Sequence, residues 1–454
     1  MPFKDECGVF GVFQQPEASR QAYLGLYALQ HRGQEAAGIC SRDGRELILH
    51  KAQGYVADVF TESVLDRLKG DAAIGHTRYS TTGGNVASAA HPFLVRGRFG
   101  QVALCHNGNL INTEAIRARL IAEGQVFTSP SDSEVLLALI NRAKADTLED
   151  AVVEALQQAE GAFSLLILAE DLLIAARDSR GFRPLSLGRL GDSWFFSSET
   201  TAFDLVNAEY QREVLPGEMV IIDSKGLRSR QVLAQAEPRP CVFEHIYFAR
   251  PDSFVFSRSV MATRRAMGRA LARRHPVEAD LVVPVPDSGV HAALGYSEAS
   301  GIPFDFGLVR NHYVGRTFIE PKQSIRSFGV KVKLNPCREL LRGKRVVLVD
   351  DSVVRGTTSR KIVQMVRQAG AAEVHMRISS PPTTHSCFYG IDTPDRDQLI
   401  AAHKSIEEIG AFVEADSLGY LTVEDLQEVM EDPGGRGFCY ACFTGRYPLP
   451  KEPA

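Results

Sequence analysis

The sequence of 454 residues lacks the features of several other classes of protein. It has no apolar run near the roughly 18 residues that a membrane-spanning helix needs, so we expect no membrane partner. A formal net charge of −4 provides no overall basic surface for a nucleic-acid backbone, so no nucleic-acid partner is expected. The opening Met-Pro-Phe-Lys-Asp-Glu is polar and lacks the apolar stretch of a secretory signal. These absences predict a cytoplasmic protein.

Cysteine occurs eight times, and in a cytoplasmic protein these residues are not expected to form a disulfide framework. They are instead candidates for a nucleophile, metal ligands or buried thiols. The eight are Cys7, Cys40, Cys105, Cys241, Cys337, Cys387, Cys439 and Cys442.

The length and the hydrophobic periodicity predict two domains and a tail. Residues 7–235 mix short strands with helices in no regular order, which indicates an α+β domain. The polar, proline-interrupted segment 235–240 is the linker candidate. In residues 241–400 strands alternate with helices, which predicts a parallel sheet. Residues 401–454 are expected to form a helical tail.

Two local signals refine the first domain. Apolar runs on either side of Glu170 and Asp171 predict a hairpin over residues 164–176. Ser131 and Glu134 have the spacing of a capping box ahead of an apolar helix. Asp132 would then lie at the start of that helix.

Two acidic residues, Asp350 and Asp351, follow a run of four branched apolar residues, and a loop of small residues then opens a helix. Ligands bind at this edge of parallel sheets, where such a loop can hold a phosphate and paired carboxylates suit ribose hydroxyls or hydrated Mg²⁺. A solvated loop with a helix cap is the alternative for an Asp-Asp pair alone. The full string resembles the phosphoribosyl pyrophosphate motif of type I phosphoribosyltransferases, which implies that the carboxylates hold the ribose and Mg²⁺. The 5′-phosphate would be held by residues 352–358, including Ser352, Arg355, Gly356, Thr357 and Thr358.

Two further segments accompany this loop. Residues 284–289, which contain Asp287 and Ser288, are either a proline-stiffened turn or a segment that resembles the pyrophosphate loop of these enzymes, with Ser288 as an additional metal contact. Residues 310–319 resemble the loop that closes over the sugar phosphate, with Arg310 and Arg316 as cations for an anionic substrate. Arg310, His312 and Lys331 depart from the residues that the family often has there, and this leaves the affinity of loop closure open.

Cys7 lies so close to the start of the chain that removal of residues 1–6 would make it the N-terminus. A free α-amine has a pKa of about 7.7–8.0 and could act as the base for its own thiol. The alternative is an ordinary buried strand cysteine.

Four short motifs, at residues 30–34, 75–80, 106–109 and 131–134, together resemble the glutaminase domain of N-terminal-nucleophile (Ntn) amidotransferases. The resemblance implies that Arg78 binds the carboxylate of glutamine and Asp132 its ammonium group. The Asn107 amide and the Gly108 N–H would stabilise the oxyanion. Taken singly, these residues could instead be a surface arginine, a turn and a helix cap. A propeptide of residues 1–6 is also expected.

Cys439 and Cys442 form a C-x-x-C pair, and Cys241 and Cys387 are distant in the sequence. Four thiolates could hold zinc or an iron–sulfur cluster, whereas a redox dithiol with scattered structural cysteines is the alternative. The four positions match the ligands of a branch of the amidophosphoribosyltransferases that has a propeptide. That resemblance implies a [4Fe–4S] cluster with a structural role.

From Cys7 to about Tyr447 the chain thus resembles the amidophosphoribosyltransferase family. The implied fold is an Ntn hydrolase αββα sandwich followed by a type I phosphoribosyltransferase domain. The implied reaction converts glutamine and phosphoribosyl pyrophosphate to phosphoribosylamine, the first step of purine biosynthesis, with ammonia passed between two sites. Feedback inhibition by purine nucleotides and a homodimer or homotetramer are also implied.

Two other functions stay open. One is a different glutamine amidotransferase that aminates a sugar phosphate or aspartate, against which the Asp350–Asp351 loop argues. The other is a nucleotide-sensing regulatory protein without catalysis, against which the motifs around Cys7 argue.

Overall fold

The computed structural model describes residues 7–78, 89–234, 236–311, 333–432, 434–435 and 437–449. The predicted propeptide, residues 1–6, lies outside these ranges, as do Tyr79, Ser80 and Arg316. None of the helices in the described ranges is long and apolar enough to cross a membrane.

Two antiparallel sheets form the N-terminal half. Strand β1 (Gly8–Phe13) lies inside a seven-stranded sheet of order β11-β9-β10-β1-β4-β2-β3, and the six-stranded sheet has the order β13-β12-β8-β7-β6-β5. The other strands are β2 (Ala36–Asp43), β3 (Glu46–Gln53), β4 (Ala72–Arg78), β5 (Phe93–Gly97), β6 (Gly100–Leu110), β7 (Gly161–Ala169), β8 (Leu172–Arg177), β9 (Ser186–Leu190), β10 (Ser193–Ser197), β11 (Glu209–Glu213), β12 (Glu218–Asp223) and β13 (Gly226–Gln231).

Helices cover the outer faces of both sheets. They are α1 (Ala18–Ala28), α2 (Val56–Val59), α3 (Glu62–Leu65), α4 (Thr113–Ala122), α5 (Asp132–Arg142), α6 (Leu148–Leu156) and α7 (Thr201–Val206). Successive side chains of β1 point to opposite faces of its sheet. Val9 and Phe13 pack in the core between the two sheets, and Phe10 and Val12 pack against α1 on the outer face. Helices α5 and α6 pack on the other sheet. The predicted αββα sandwich is confirmed.

A four-stranded parallel sheet of order β16-β19-β20-β21 is the centre of the C-terminal half. The strands of this half are β14 (Phe254–Val255), β15 (Arg258–Ser259), β16 (Leu281–Pro284), β17 (Leu308–Arg310), β18 (Leu334–Pro336), β19 (Arg345–Asp350), β20 (Glu373–Ile378) and β21 (Ser417–Tyr420). Along β19, Val346 and Leu348 face one core while Val347 and Val349 face the other. Both faces are covered, as a parallel sheet requires, and the predicted parallel sheet is confirmed.

The helices of this half are α8 (Val260–Arg274), α9 (Val290–Ser300), α10 (Arg338–Leu341), α11 (Thr357–Gln368), α12 (Ile406–Val413), α13 (Val423–Val429) and α14 (Ala441–Thr444). A π-helical turn spans Glu244–Phe248, and 3₁₀ turns span Arg396–Gln398 and Ile400–Ala402. The tail differs from the helical prediction because β21 adds a strand to the sheet. Its four residues are too few to show a period in the sequence.

The local predictions in the first half have different outcomes. The hairpin is confirmed by the antiparallel pairing of β7 and β8, and α5 begins at Asp132 as predicted. The capping box is wrong, because the Glu134 carboxylate accepts from the N–H groups of Thr128 and Ser129 at 2.8 and 2.7 Å. The Ser131 hydroxyl caps the helix alone, accepting from the Ser133 N–H. The preceding segment folds back and offers Glu134 four donors, the N–H and hydroxyl groups of Thr128 and Ser129, that the sequence pattern does not reveal.

Candidate functional sites

Cys7 lies directly before β1 and is buried. Gly8 pairs with Thr77 in the neighbouring antiparallel strand β4. Arg78, the last residue of β4, therefore lies opposite Cys7. Arg78 is also buried. The side chain of Arg32 donates from Nε to the Cys7 carbonyl at 3.1 Å. The structure therefore brings together the predicted nucleophile and the predicted carboxylate-binding arginine.

Asn107 and Gly108 lie in β6, which reaches β4 through a hydrogen bond of 3.0 Å between His76 Nε2 and the His106 carbonyl. The Asn107 side chain is fully buried, and neither atom of its amide has a hydrogen-bond partner among the described residues. Such groups are rare in folded proteins, because a buried unpaired amide costs free energy. A substrate oxyanion would give the amide nitrogen a partner.

Asp132, at the start of α5, accepts from the Leu110 N–H at 3.1 Å and lies 3.4 Å from His106 Nδ1. Burial acts to raise the pKa of Asp132, but the charge and hydrogen bond of His106 outweigh it and hold the pKa below its usual value. Burial acts to lower the pKa of His106, and Asp132 in turn raises it above its usual value. Asp132 is therefore held as an anion, which suits an ammonium group.

Two further histidines surround this pair, and sequence reasoning gave them no role. The rings of His76 and His91 lie 4.4 Å apart between centroids, and His91 Nε2 lies 2.7 Å from the Ser133 hydroxyl. Burial lowers the pKa of His76 to about 3, and burial also lowers that of His91. Both rings are therefore neutral near pH 7, and they add no positive charge beside Arg78. The Gly75–Ser80 motif contains His76, but the sequence carries no signal that pairs it with His91.

Asp350 and Asp351 lie at the carboxyl end of β19, and both are buried. The loop at residues 284–289 lies beside them, since the Val285 N–H donates to the Val349 carbonyl at 2.8 Å. The side chains of Ser288 and Asp351 are hydrogen-bonded. Burial raises the pKa of both carboxyl groups, and the charge of Asp351 raises that of Asp350 further. This arrangement favours a bound cation, which would offset the burial of two carboxylates.

The phosphate loop continues from these carboxyls. Ser352 hydrogen-bonds to the Asp351 carboxylate, and α11 begins at Thr357 after Gly356, whose φ is 71°. Thr357 and Thr358 therefore lie in the first helical turn, where backbone N–H groups can bind a phosphate. Arg355 hydrogen-bonds to Gln398 at the loop's edge.

Arg310 ends β17 and forms an ion pair with Asp287 in the second loop. Both side chains are at least half exposed, 51% and 58% respectively, so the pair is accessible to a ligand. The contact brings one predicted closing-loop residue to the predicted pyrophosphate loop. Arg316 lies outside the described residues.

The cysteines at positions 241, 387, 439 and 442 come together from three separate segments. Cys241 and Cys439 face each other in a parallel backbone bridge. Burial raises the pKa of the Cys442 thiol, and the charges of the other three thiols raise it further. Among the described residues, however, no three or more His, Cys, Asp or Glu side chains form a group that could hold a metal ion. The structure thus brings three buried cysteines and the partly buried Cys387 near one another, without the geometry of a metal site.

A buried group of charged side chains connects the two halves, and the sequence did not reveal it. Arg32 donates from Nη1 to Glu199 at 2.6 Å and from Nη2 to Glu244 at 2.7 Å. Arg183 also donates to Glu244, and all four side chains are fully buried. Burial would raise the pKa of Glu244, but Arg32 and Arg183 lower it to about 2. The group is therefore a set of paired charges, two positive and two negative.

Arg264 extends this polar region toward the sugar-phosphate site. It lies on α8 and donates to the carbonyls of His245 and Ala249, each at 2.8 Å. Burial lowers the pKa of Arg264 to about 10, while the charge of Asp351 opposes this. The π-helical turn that carries Glu244 is thus anchored by an arginine that interacts with Asp351.

Known proteins share the sequence and the fold of this chain. A family model described as a glutamine amidotransferase domain matches residues 76–205. The chain is 51% identical to amidophosphoribosyltransferase 1, chloroplastic, from Arabidopsis thaliana, over 98% of this chain and 79% of that protein. It is 49% identical to amidophosphoribosyltransferase from Bacillus subtilis, over 98% of this chain and 94% of that protein. A solved structure of glutamine phosphoribosylpyrophosphate amidotransferase from B. subtilis, complexed with ADP and GMP, superposes with a TM-score of 0.93 at 48% identity, covering 98% of both chains.

Proposed function

Because this chain belongs to the amidophosphoribosyltransferase family, we infer that its two sites carry out two half-reactions in series. The enzyme is a glutamine-dependent pentosyltransferase of the first step of purine biosynthesis. Glutamine, 5-phosphoribosyl 1-pyrophosphate and water give 5-phosphoribosylamine, glutamate and pyrophosphate. Ammonia released at one site is consumed at the other.

In the first half-reaction, the Cys7 sulfur bonds to the amide carbon of glutamine, and the carbonyl π electrons move to the oxygen. The Asn107 amide and the Gly108 N–H stabilise that oxyanion. The proton that the thiol gives up to the Cys7 α-amine passes to the leaving nitrogen, and collapse of the intermediate then releases ammonia and leaves a thioester, which water hydrolyses to glutamate. The observation that supports this half most directly is the buried Asn107 amide, which has no partner among the described residues.

Glutamine would be oriented by two charges of opposite sign. The Arg78 guanidinium binds the α-carboxylate of glutamine, and the Asp132 carboxylate binds its ammonium group. The neutral state of His76 and His91 supports this arrangement, because a second cation beside Arg78 would weaken the selectivity for a zwitterion. His106 keeps Asp132 ionised in the absence of substrate.

In the second half-reaction, ammonia attacks C1 of the sugar, and pyrophosphate leaves. Asp350 and Asp351 hold the ribose hydroxyls and bind Mg²⁺ together with Ser288, and Ser352, Arg355, Gly356, Thr357 and Thr358 hold the 5′-phosphate. Burial raises the pKa of both carboxyl groups, so their ionised forms are costly to bury. A hard divalent cation bound to them would offset that cost. Bound Mg²⁺ supplies charge neutralisation for the pyrophosphate. Arg310 and Arg316 are proposed as cations for the anionic substrate. Asp287 and Ser288 belong to the proposed pyrophosphate loop, whose backbone would face the leaving group.

The cysteines at positions 241, 387, 439 and 442 are proposed to hold a [4Fe–4S] cluster with a structural role. Cys241, Cys439 and Cys442 are buried and Cys387 is partly buried, and four thiols in such apolar surroundings suit a cluster of this kind. The guanidinium of Arg183 interacts with Cys241 and Cys387, and it would offset the negative charge of a thiolate-bound cluster. The cluster would join the tail to the segment that begins the C-terminal half.

The chain is also proposed to belong to the branch with a propeptide. Removal of residues 1–6 would give Cys7 a free α-amine as its base. We further propose a glutaminase domain of residues 7–235, a phosphoribosyltransferase domain of residues 241–400 and a tail of residues 401–454. The enzyme would be cytoplasmic, form a homodimer or homotetramer, and bind purine nucleotides as feedback inhibitors.

Pyrophosphate release tests the proposed function. Protein purified anaerobically is supplied with phosphoribosyl pyrophosphate, Mg²⁺ and either glutamine or ammonia. Release with both nitrogen sources is expected. Release with neither, from folded protein, would contradict the function and favour a non-catalytic regulatory protein.

A further inference from the structure

Residues 387–390, which the C-terminal half contributes, lie directly against the strand that carries the candidate oxyanion hole. The side-chain amide of Asn109 donates to the Phe388 carbonyl at 3.0 Å. Gly390 approaches Gly108 so closely that a Cβ on Gly390 would lie 2.9 Å from the Gly108 Cα and 3.1 Å from its carbonyl carbon. A side chain at position 390 would therefore displace the Gly108 backbone.

The Gly108 backbone is also close to the neighbouring strand β7. Gly108 has a φ of 151°, and a Cβ there would lie 2.0 Å from the Ala162 carbonyl oxygen of β7. Gly390 has a φ of 100°, which L side chains rarely adopt. Gly108 is thus in close contact both with β7 and with Gly390.

Packing holds the segment 387–390 in place. The Tyr389 ring stacks on the Phe182 ring of the N-terminal half, with centroids 4.3 Å apart and an angle of 17° between the planes. The Tyr389 hydroxyl donates to the Leu449 carbonyl at 2.5 Å. Both aromatic side chains are buried, so the segment has little freedom to move away from Gly108.

We propose that residues 387–390 are a positioning element for the oxyanion hole. Through Gly390 and the Phe388 carbonyl, the segment fixes the Gly108 peptide so that its N–H points at the oxyanion formed when Cys7 attacks glutamine. Such a donor stabilises the transition state only when it is held in place before the reaction. The proposal rests on the proposed role of Gly108, and it assigns part of the glutaminase geometry to the other half of the chain.

Gly390→Ala tests this proposal, and Gly226→Ala is the matched control. Gly226 has a φ of 106°, and no atom of the described residues lies within 4 Å of a Cβ added there, so alanine introduces similar backbone strain without a contact to them. The measurements are kcat and KM for glutamate release from glutamine, pyrophosphate release with ammonia, and the rate of Cys7 alkylation by iodoacetamide. Alkylation proceeds by displacement and forms no oxyanion.

Gly390→Ala is expected to lower kcat for glutamine by about tenfold to a hundredfold, less than the loss on removing an oxyanion donor. The KM, the alkylation rate and the ammonia-dependent rate should match those of Gly226→Ala. The proposal is overturned if kcat is retained, or if alkylation or ammonia-dependent activity falls equally. Should Gly390→Ala not fold, Asn109→Ala takes its place, because it removes the hydrogen bond to the Phe388 carbonyl. Asn109→Ala must then lower kcat for glutamine, by less than about tenfold, without a change in the alkylation rate or the ammonia-dependent rate.

Cys7→Ala distinguishes a failure of the proposed glutaminase function from a failure of the positioning role of residues 387–390. If Cys7→Ala still hydrolyses glutamine, the proposed function of the site is wrong. If Cys7→Ala is inactive with glutamine while Gly390→Ala keeps full kcat, only the positioning role is overturned.

Discussion

Arg32 and Glu244 form a two-point ion pair, with Nη1 to Oε2 at 2.9 Å and Nη2 to Oε1 at 2.7 Å, although 212 positions separate them in the sequence. Arg32 also donates to the Cys7 carbonyl. Glu244 lies in the π-helical turn that Arg264 anchors. This pair connects the candidate nucleophile to the C-terminal half through charges that are fully buried.

Glu244→Gln should destabilise the protein strongly, because the substitution keeps the shape but removes one of the two carboxylate charges that offset the burial of Arg32 and Arg183. Breaking a buried pair in this way costs about 3–5 kcal/mol. Unfolding in urea, followed by circular dichroism, measures the change. The control is Glu237→Gln, whose carboxylate pairs with Arg239 and is 54% exposed, and which should cost less than about 1 kcal/mol. Equal shifts for the two variants would contradict the structural role of Glu244.

Cys7→Ala should abolish pyrophosphate release with glutamine and preserve it with ammonia, because the sugar-phosphate site is separate from the thiol. The ratio of the two rates is the measurement. Cys337→Ala is the control, since that thiol is assigned no role, and it should keep both activities. Loss of both activities in folded Cys7→Ala would contradict the two-site mechanism.

Asp351→Asn should impair synthesis with glutamine and with ammonia alike, because the sugar and Mg²⁺ take part in both. Pyrophosphate release with each nitrogen source measures the loss. Asp397→Asn provides an exposed control, since its carboxylate is 96% exposed. If Asp351→Asn lost only the glutamine-dependent rate, the assignment of Asp351 to the sugar site would be wrong.

His245→Phe should make the protein less sensitive to acid. The imidazole is buried beside Phe256 and Phe438, and burial lowers its pKa to about 3. The unfolded chain has a His pKa of about 6.5, so between pH 6.5 and about 3 the unfolded state takes up a proton that the folded state does not. Stability therefore falls as the pH falls, by about 2 kcal/mol at pH 5 for this group.

Urea unfolding at pH 7 and pH 5 measures this effect. The loss of stability between the two pH values should be smaller by about 2 kcal/mol in His245→Phe than in the unsubstituted protein. His403→Gln is the control, because its side chain is 52% exposed. An unchanged pH dependence in His245→Phe would show that the folded state accepts the proton.

Cys442→Ser should lower the iron content and the visible absorption of anaerobically purified protein, because a hydroxyl is a poorer ligand for a cluster than a thiolate. Iron analysis and the absorption spectrum are the measurements. Cys337→Ser should leave both unchanged. Iron-free protein with unaltered stability and activity would contradict the proposed cluster.

Much of the fold could be predicted because its signals are local. The alternation that buries both faces of β19 lies within six residues, and the loop from Asp350 to Thr358 is continuous in the chain. The capping box failed because the preceding segment offered Glu134 other donors. The strand Ser417–Tyr420 was missed because four residues show no period.

The sequence by itself therefore determined the family and its two motif sets, since those depend on residue types at short, fixed spacings. Only the tertiary structure decided that Arg32 meets Glu244 and that Gly390 lies against Gly108. The same holds for the pairing of His76 with His91 and for the assembly of the cysteines. The physical reason is that these contacts join segments far apart in the chain. Their partners are chosen by the packing of whole sheets and helices, which a local pattern does not record.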